Sequence, residues 1–287
     1  MSGLTPPPPY VPFALPLEGD EEELEKLKRK IERDRGFNCS FYKDKCLRRR
    51  IAVRMRARGV HTYADYARLL DADAAEYDKL IDALTINVTK LFRNWDTYRA
   101  LSSTVIPELW SRETPAIRVW SAGCSSGQEP YSLAVLFHRH AATSGMLPQI
   151  GRVDVLGTDI DRGSLAAAQR GQFAEADFAD TPDDLRQRYF TRSSPFTVSP
   201  NVRAMVRFER RDLLNDPTPP GPFELIACRN VLIYFDRDTQ SRLFETFFDS
   251  LVPGGYLVLG KVETLLGPAR ARFTSVDSRE RIFRRPS

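Results

Sequence analysis

The sequence is short of the residues that metal centres and covalent frameworks require. Only four cysteines (Cys39, Cys46, Cys124 and Cys228) and three histidines occur in 287 residues. No two cysteines form a CxxC pair, so neither a zinc ribbon nor a disulfide scaffold is expected. His138 and His140 stand two apart on a predicted helix and point to different sides, so no metal is expected. No apolar run approaches the roughly 20 residues of a membrane-spanning helix. The opening MSGLTPPPPYVPFALPLEGD lacks the basic start and unbroken apolar stretch of a secretion signal, which leads to the expectation of a cytoplasmic chain. Three nucleotide signatures are missing as well: GxGxxG, GxxxxGK[ST] and the [DN]PP[YF] of amino-methylating enzymes.

What is present is an ordinary globular composition, 42% hydrophobic and 28% charged, with a net charge of +4. That composition excludes wholesale disorder, and the length suits two domains better than one. The small net charge hides a local excess. From Lys26 to Arg58 there are fourteen Lys or Arg against Glu32, Asp34 and Asp44, an excess of eleven positive charges. An acidic partner is expected for this region.

Residues 1–20 read as a flexible, proline-rich tail. Over 21–84 the apolar residues recur at helical spacing: Leu24, Leu27 and Ile31, then Leu47, Ile51 and Met55, then Tyr63, Tyr66, Leu69 and Leu70. A small all-helical domain is expected there, followed by a linker over 85–116. From Ile117 onward buried-strand runs alternate with helices: IRVWSAG, RVDVLGTDID, FELIACRNVLIYF and GYLVLG are strands, and the helix after the third is expected to run through RDTQSRLFETFFDSLVPGG. Short strands around ARFTSVD and RIFRR follow. This predicts an α/β domain over 117–287 with a mostly parallel sheet closed by a hairpin. Residues 171–210, including FTVSP and AMVRFE, read as a small β insertion.

Ligands of open α/β sheets lie at the carboxyl ends of the strands. The first strand ends in SAGCSSGQEPYS, where Gly123 and Gly127 allow a tight turn. Glu129 opens the next helix, where a carboxylate suits the helix dipole but repels a phosphate. Asp159, which ends the second strand, is the usual kind of partner for ribose hydroxyls. A glycine turn, a ribose acid and no phosphate cradle together point to S-adenosylmethionine. RDLL (Arg211–Leu214) stands where adenine is met, and Asn230 and Tyr234 follow the third strand.

These same segments carry a resemblance. RVWSAGCSSGQEPYSLA, GTDID, the RYF at Arg188–Phe190, FELIACRNVLIYFD, LVPGGYLVLG and the upstream LTINVTKLFRN resemble the CheR family of chemotaxis-receptor glutamate methyltransferases, in order over residues 24–285. The resemblance implies a Rossmann-like class I methyltransferase with a seven-stranded sheet, using S-adenosylmethionine and releasing S-adenosylhomocysteine. It implies that Asn87, Thr89 and Arg93 line the cofactor pocket, and that Glu129 takes the methionine amino group and Asp159 the ribose. Asp212 and Leu213 would lie near adenine, Arg229 and Asn230 at the strand end, and Tyr234 beside the departing methyl. The implied partner is the cytoplasmic helical domain of methyl-accepting receptors, and a monomer is expected. Leu91 departs from the FFR signature, and Asp212 stands where some relatives have Asn. TRSSPFTVSPNVRAMVRF is shorter than the glycine-containing loop of relatives that dock on a receptor's C-terminal pentapeptide, so tethering of that kind is not expected.

A glutamate substrate is already ionised at neutral pH and needs no general base, which accounts for the lack of a His or Cys–His constellation. Arg93 is the candidate for orienting the carboxylate, with its planar fork. Arg50, Arg54 and Arg58 fall at i, i+4 and i+8 and are expected to form an acid-free row that docks a glutamate-rich helix. Two other readings use the same features. A nucleic-acid methyltransferase would use the row for phosphates, though no stacking platform or catalytic Cys loop is seen, and the expected partners do not include nucleic acid. A non-catalytic adaptor would keep the cofactor fold only to bind a receptor.

Overall fold

The computed structural model describes residues 21–84 and 89–287; the proline-rich stretch 1–20 and the linker's Asn87 lie outside them. The chain divides into two compact units between Thr85 and Ile86.

The first unit is helical: α1 (Glu21–Arg35), α2 (Asp44–Ala57), α3 (Tyr63–Ala72) and α4 (Ala74–Leu84). Acids open α1 and arginines close it, matching the helix dipole. Thr62 caps α3 by accepting the Asp65 amide. Leu24, Leu27, Ile31, Leu47, Ile51, Met55, Tyr66 and Leu80 fill the core, as the helical spacing predicts.

The expected arginine row is not free. Arg50 is buried and its guanidinium donates to the Leu84 carbonyl. Arg54 binds Glu76 through two hydrogen bonds of 3.1 and 2.7 Å. Arg58 reaches Asp73 at 3.0 Å and Glu76 at 3.5 Å. Glu76 is fully buried and also accepts the Tyr66 hydroxyl at 2.9 Å. The acids that neutralise the row come from another helix, α4, and the residue that leads into it, so spacing within α2 could not reveal them. The exposed side of α2 is instead Lys45, Arg49, Val53 and Arg56.

The second unit begins with a helical run, α5 (Trp95–Ala100) and α6 (Ile106–Ser111), joined through a π-type turn at Leu101–Val105. Then follow β1 (Ile117–Ala122), α7 (Gln128–Thr143), β2 (Val153–Asp159), α8 (Arg162–Arg170), β3 (Gln172–Phe173), α9 (Asp183–Tyr189), β4 (Phe196–Thr197), α10 (Pro200–Arg203) and β5 (Val206–Arg210). The chain ends with β6 (Phe223–Cys228), α11 (Arg237–Ser250), β7 (Leu251–Leu259), α12 (Ala269–Arg272), β8 (Thr274–Asp277) and β9 (Ile282–Arg284). The sheet has seven strands in the order β5-β2-β1-β6-β7-β9-β8. Five are parallel, and β9 and β8 close it as an antiparallel hairpin. β6 is buried along its whole length and β1, β2 and β7 along most of theirs, which is why they read as apolar runs. The direction of strand order reverses between β1 and β6, and a crevice opens at their carboxyl ends.

Two boundaries differ from expectation. The stretch 171–210 is not all insertion. β3 and β4 form a separate antiparallel pair around Phe173, Phe178, Phe190 and Phe196, whereas β5 joins the main sheet in register from Val155↔Val206 to Asp159↔Arg210. As an edge strand it is only half-buried, so its mixed polar pattern resembles a surface hairpin. The helix α11 also stops at Ser250, because the residue before Pro253 is driven away from helical backbone. Leu251–Gly254 belongs to β7.

Burial works to raise the Glu76 carboxyl, but the Arg54 and Tyr66 hydrogen bonds and the Arg54 and Arg58 charges outweigh it and hold it below the usual range. A depressed folded-state value stabilises the fold above the unfolded value of about 4.3, and that contribution disappears as pH falls through the folded value. Glu76→Ala is expected to destabilise the helical unit by about 3 kcal/mol at neutral pH, since it leaves guanidiniums without their buried partner. Hydrogen exchange of helical-unit amides in the full chain should show this loss. The gap between variant and unaltered chain should narrow as pH falls below the unfolded value of about 4.3 and through the lower folded one.

Candidate functional site

The crevice is built from loops that follow β1, β2, β5 and β6, together with the segment ahead of α5. After β1, Gly123 and Cys124 donate their amides to the Thr158 carbonyl, bending the chain back over β2. Gly123 takes a left-handed φ of +77°, and a Cβ there would fall 2.5 Å from Val231 Cγ2. The position therefore admits glycine on two counts, backbone and space.

The turn brings two acids together. Asp159 is buried at the end of β2. One of its oxygens accepts the Ser125 amide at 2.7 Å and the other the Asp161 amide at 3.0 Å. Each oxygen keeps further acceptor capacity, the arrangement needed to hold a vicinal diol. Burial pushes the Asp159 carboxyl above the usual range, while the Asp161 and Ser125 amides pull the other way. Glu129, in the first turn of α7, accepts the Ser121 hydroxyl at 2.8 Å and lies 3.7 Å from Arg229. Burial raises its carboxyl too, and the Arg229 charge and the Ser121 hydroxyl only partly offset this.

Arg229 follows β6 with its side chain only 3% exposed. It donates to the Arg93 carbonyl at 2.7 Å, to the Tyr98 hydroxyl at 3.2 Å and to Asn94 Oδ1 at 3.4 Å. Its two terminal nitrogens are thus engaged by protein groups, which lets it position its neighbours. Arg93 stands between Phe92 and Asn94, both with left-handed φ (51° and 61°). Such backbone in a bulky residue is strained and persists only when its surroundings over-determine it. Here the Phe92 amide donates to Ser132 Oγ at 2.8 Å, the Asn94 amide to Asp180 at 2.8 Å and the Leu91 amide to the Asp177 carbonyl at 2.9 Å.

Beyond β5, the Arg211 amide donates to the Asp159 carbonyl, which sets Asp212 and Leu213 near the end of β2. The Asp212 carboxylate is engaged in its own turn, accepting from the Leu214 amide and Asn215 Nδ2. Thr158, Trp120, Asp212, Leu213 and Thr246 line a cleft of about 160 Å³ there. Asn230 adopts a left-handed φ of 61°, and Tyr234 ends the short 3₁₀ turn Leu232–Tyr234. Thr89 is half-buried where the described linker begins. The crevice thus joins Arg93, Glu129, Asp159, Asp212, Leu213, Arg229 and Asn230, while Arg50, Arg54 and Arg58 belong to the helical unit.

Among the described residues, several of the buried polar atoms with no partner concentrate here: Ser125 Oγ, Asn230 Oδ1 and Arg229 Nε. Unsatisfied buried groups are costly, and a ligand carrying hydroxyl and amino groups would relieve them. The donor set fits S-adenosylmethionine: acids for a diol and an ammonium, and no cation cluster for phosphates. Sequence reasoning missed Ser121, Tyr98 and above all Glu263, whose only mark is an acid three residues after the glycine closing a strand.

Comparison with known proteins adds the following. Residues 87–282 match the family described as CheR methyltransferase, SAM binding domain, and residues 22–85 match the CheR methyltransferase, all-alpha domain. The chain is similar to a chemotaxis protein methyltransferase of Listeria innocua, 34% identical over 87% of this chain and 92% of the relative. It is similar to one of Borreliella burgdorferi, 30% identical over 89% and 92%, and to one of Klebsiella aerogenes, 32% identical over 87% and 84%.

Gly123→Ala combines a left-handed penalty of about 1–2 kcal/mol with the Val231 clash. Gly145, at φ +71° after α7, has open space where a Cβ would go. In thermal denaturation, Gly123→Ala should lower the melting temperature at least about 3 °C more than Gly145→Ala, the shift expected from about 1 kcal/mol in a unit of this size. Equal shifts would mean that Val231 gives way freely.

Proposed function

Because the chain belongs to the CheR family of S-adenosylmethionine-dependent methyltransferases, we propose that it methylates glutamate side chains of chemotaxis receptors, giving glutamate methyl esters and S-adenosylhomocysteine. The observation that carries this reading is the pair of acids at the crevice, the buried Asp159 and the largely enclosed Glu129, the first gripped by the Ser125 amide and the second by the Ser121 hydroxyl.

S-adenosylmethionine, when bound, supplies a methyl group activated by a sulfonium. Asp159 would hold the ribose hydroxyls, and Glu129 the amino group of the methionine part. Adenine would lie against Leu213 and the Asp212 backbone, because the Asp212 carboxylate already serves its own turn. Asn230 would complete the pocket from β6, with Thr89 from the linker. The substrate carboxylate is ionised at neutral pH and attacks without a base. What the protein must do is remove water from it and hold it in line. Arg93 is assigned to orienting that carboxylate, its backbone held by the Arg229 contact. Tyr234 is assigned a place beside the methyl and the attacking oxygen.

The substrate reaches the site by charge. With Arg50, Arg54 and Arg58 taken up by their own helical unit, docking of an acidic helix falls to the exposed Lys45, Arg49 and Arg56 around Val53 on α2. Such contacts steer association and weaken with salt. The short stretch that leads from Phe190 into β4, without glycine, supports recognition that does not use a receptor's C-terminal pentapeptide.

Labelled S-adenosylmethionine and receptor-containing membranes test the chemistry. Methyl groups released by mild alkali mark glutamate esters, and alkali-stable label would overturn the reading. Arg93→Ala should lower transfer at least tenfold. A second comparison concerns docking. A receptor without its C-terminal tail should be methylated within twofold of the intact receptor, while Arg49→Glu should raise KM severalfold at low salt with kcat little changed. A tenfold loss on removal of the tail would restore tethering.

A further inference from the structure

Glu263 is a deeply placed carboxylate of the crevice, only 5% exposed, and neither cofactor nor substrate contact is assigned to it. One of its oxygens, Oε2, accepts the Gly260 amide at 2.6 Å and the Asn230 amide at 3.0 Å. These amides lie just past the ends of β7 and β6, neighbouring parallel strands whose ladder ends at Cys228↔Leu259. Beyond that pair the ladder does not continue, and without another acceptor the two amides would be left unsatisfied at considerable cost. A single carboxylate satisfies both and fixes the distance between the strand ends.

The surrounding geometry is tied to this grip. Gly260 has no left-handed φ, yet a Cβ there would lie 2.7 Å from Glu263 Oε2 and 2.9 Å from the Asn230 amide, so only glycine allows so close an approach. Asn230, the residue whose amide is clasped, holds a left-handed φ of 61°, a conformation that Asn adopts more readily than other side chains. Val231, the next residue, packs against Gly123, so the corner after β6 also bounds the turn after β1. On the far side of the same loop, Lys261 pairs with Glu280 at 2.5 Å, and Glu280 accepts the Thr97 hydroxyl at 2.8 Å. Burial raises the Glu263 carboxyl, and the Gly260 and Asn230 amides oppose it.

We propose that Glu263 is a positioning residue for this site: by clasping the Gly260 and Asn230 amides it sets the backbone corner from which Asn230 and Tyr234 meet cofactor and substrate. The inference rests on the cofactor reading of the crevice. Glu263→Gln keeps the volume but can turn an amide donor toward two N–H donors. Glu263→Ala removes the acceptor altogether. Gly260→Ala strikes the same clasp from the other side.

The test uses the full chain, with S-adenosylhomocysteine affinity measured by calorimetry and hydrogen exchange read over Arg229–Phe235. Glu263→Gln and Glu263→Ala should each weaken binding tenfold or more and speed exchange of that segment by a similar factor. Exchange in the β1–β2 ladder should stay within twofold. Gly260→Ala should weaken binding at least fivefold in the unaltered chain but less than twofold further in Glu263→Ala, because both act on one contact. Binding within twofold in Glu263→Gln, full additivity with Gly260→Ala, or exchange rising evenly across the unit would each overturn the inference. Failure of the unaltered chain to bind S-adenosylhomocysteine would instead overturn the cofactor reading, and the inference with it. If Glu263→Ala fails to fold, Glu263→Gln and Gly260→Ala carry the test.

Discussion

The crevice depends on one buried cation. Arg229, at the end of β6, holds the Arg93 carbonyl, Asn94, the Tyr98 hydroxyl and the Glu129 carboxylate within reach of a single guanidinium. Four stretches of chain meet there: the linker, α5, the start of α7 and the end of β6. A planar fork of five donors suits such a junction, because each partner is an oxygen lying in a different direction. A buried ion pair is weak evidence of stability, since desolvation can exceed the Coulombic gain. Its value here is geometric. Removing Arg229 would leave Glu129 buried without that countercharge and free the strained backbone on both sides of Arg93.

The second constraint is the placement of acids in a poorly solvated place. Asp159, Glu129 and Glu263 are all raised by burial, and each is partly compensated in a different way. Backbone amides oppose the rise at Asp159 and Glu263, while a guanidinium charge and a serine hydroxyl oppose it at Glu129. Asp159 and Glu263 are both gripped by backbone amides, whereas Glu129 is held by side chains. In the helical unit the balance is the reverse. Glu76 is held below the usual range by two arginines and a tyrosine hydroxyl, and its role is to tie α2, α3 and α4 together.

Much of the site is legible in residue type and order alone. Glu129 and Asp159 declare themselves because a class I sheet puts its ligand at strand ends, so position relative to a predicted strand is enough. Asn230 is marked by its place after the third predicted strand, whereas Arg93 and Arg229 come from resemblance and could not have come from spacing. Arg50, Arg54 and Arg58 show the limit of a one-helix pattern. Their i, i+4, i+8 spacing is real, but the groups that take them up stand on or beside the partner helix, where sequence distance carries no information. Glu263 escapes for a related reason: the groups it holds are main-chain amides, and these leave no trace in residue identity.

By itself the sequence determined the helical unit, the alternation that makes a mostly parallel sheet, and the chemistry of the strand-end acids. These follow from local periodicity and from residue type, which act over a few residues. The tertiary structure alone decided that β5 is an edge strand and not part of an insertion, that the arginine row is internally neutralised, and that Arg229 and Glu263 hold the crevice together. Each of those outcomes is a contact between segments brought side by side only when the sheet and helices pack, and burial sets which charges remain available to a partner.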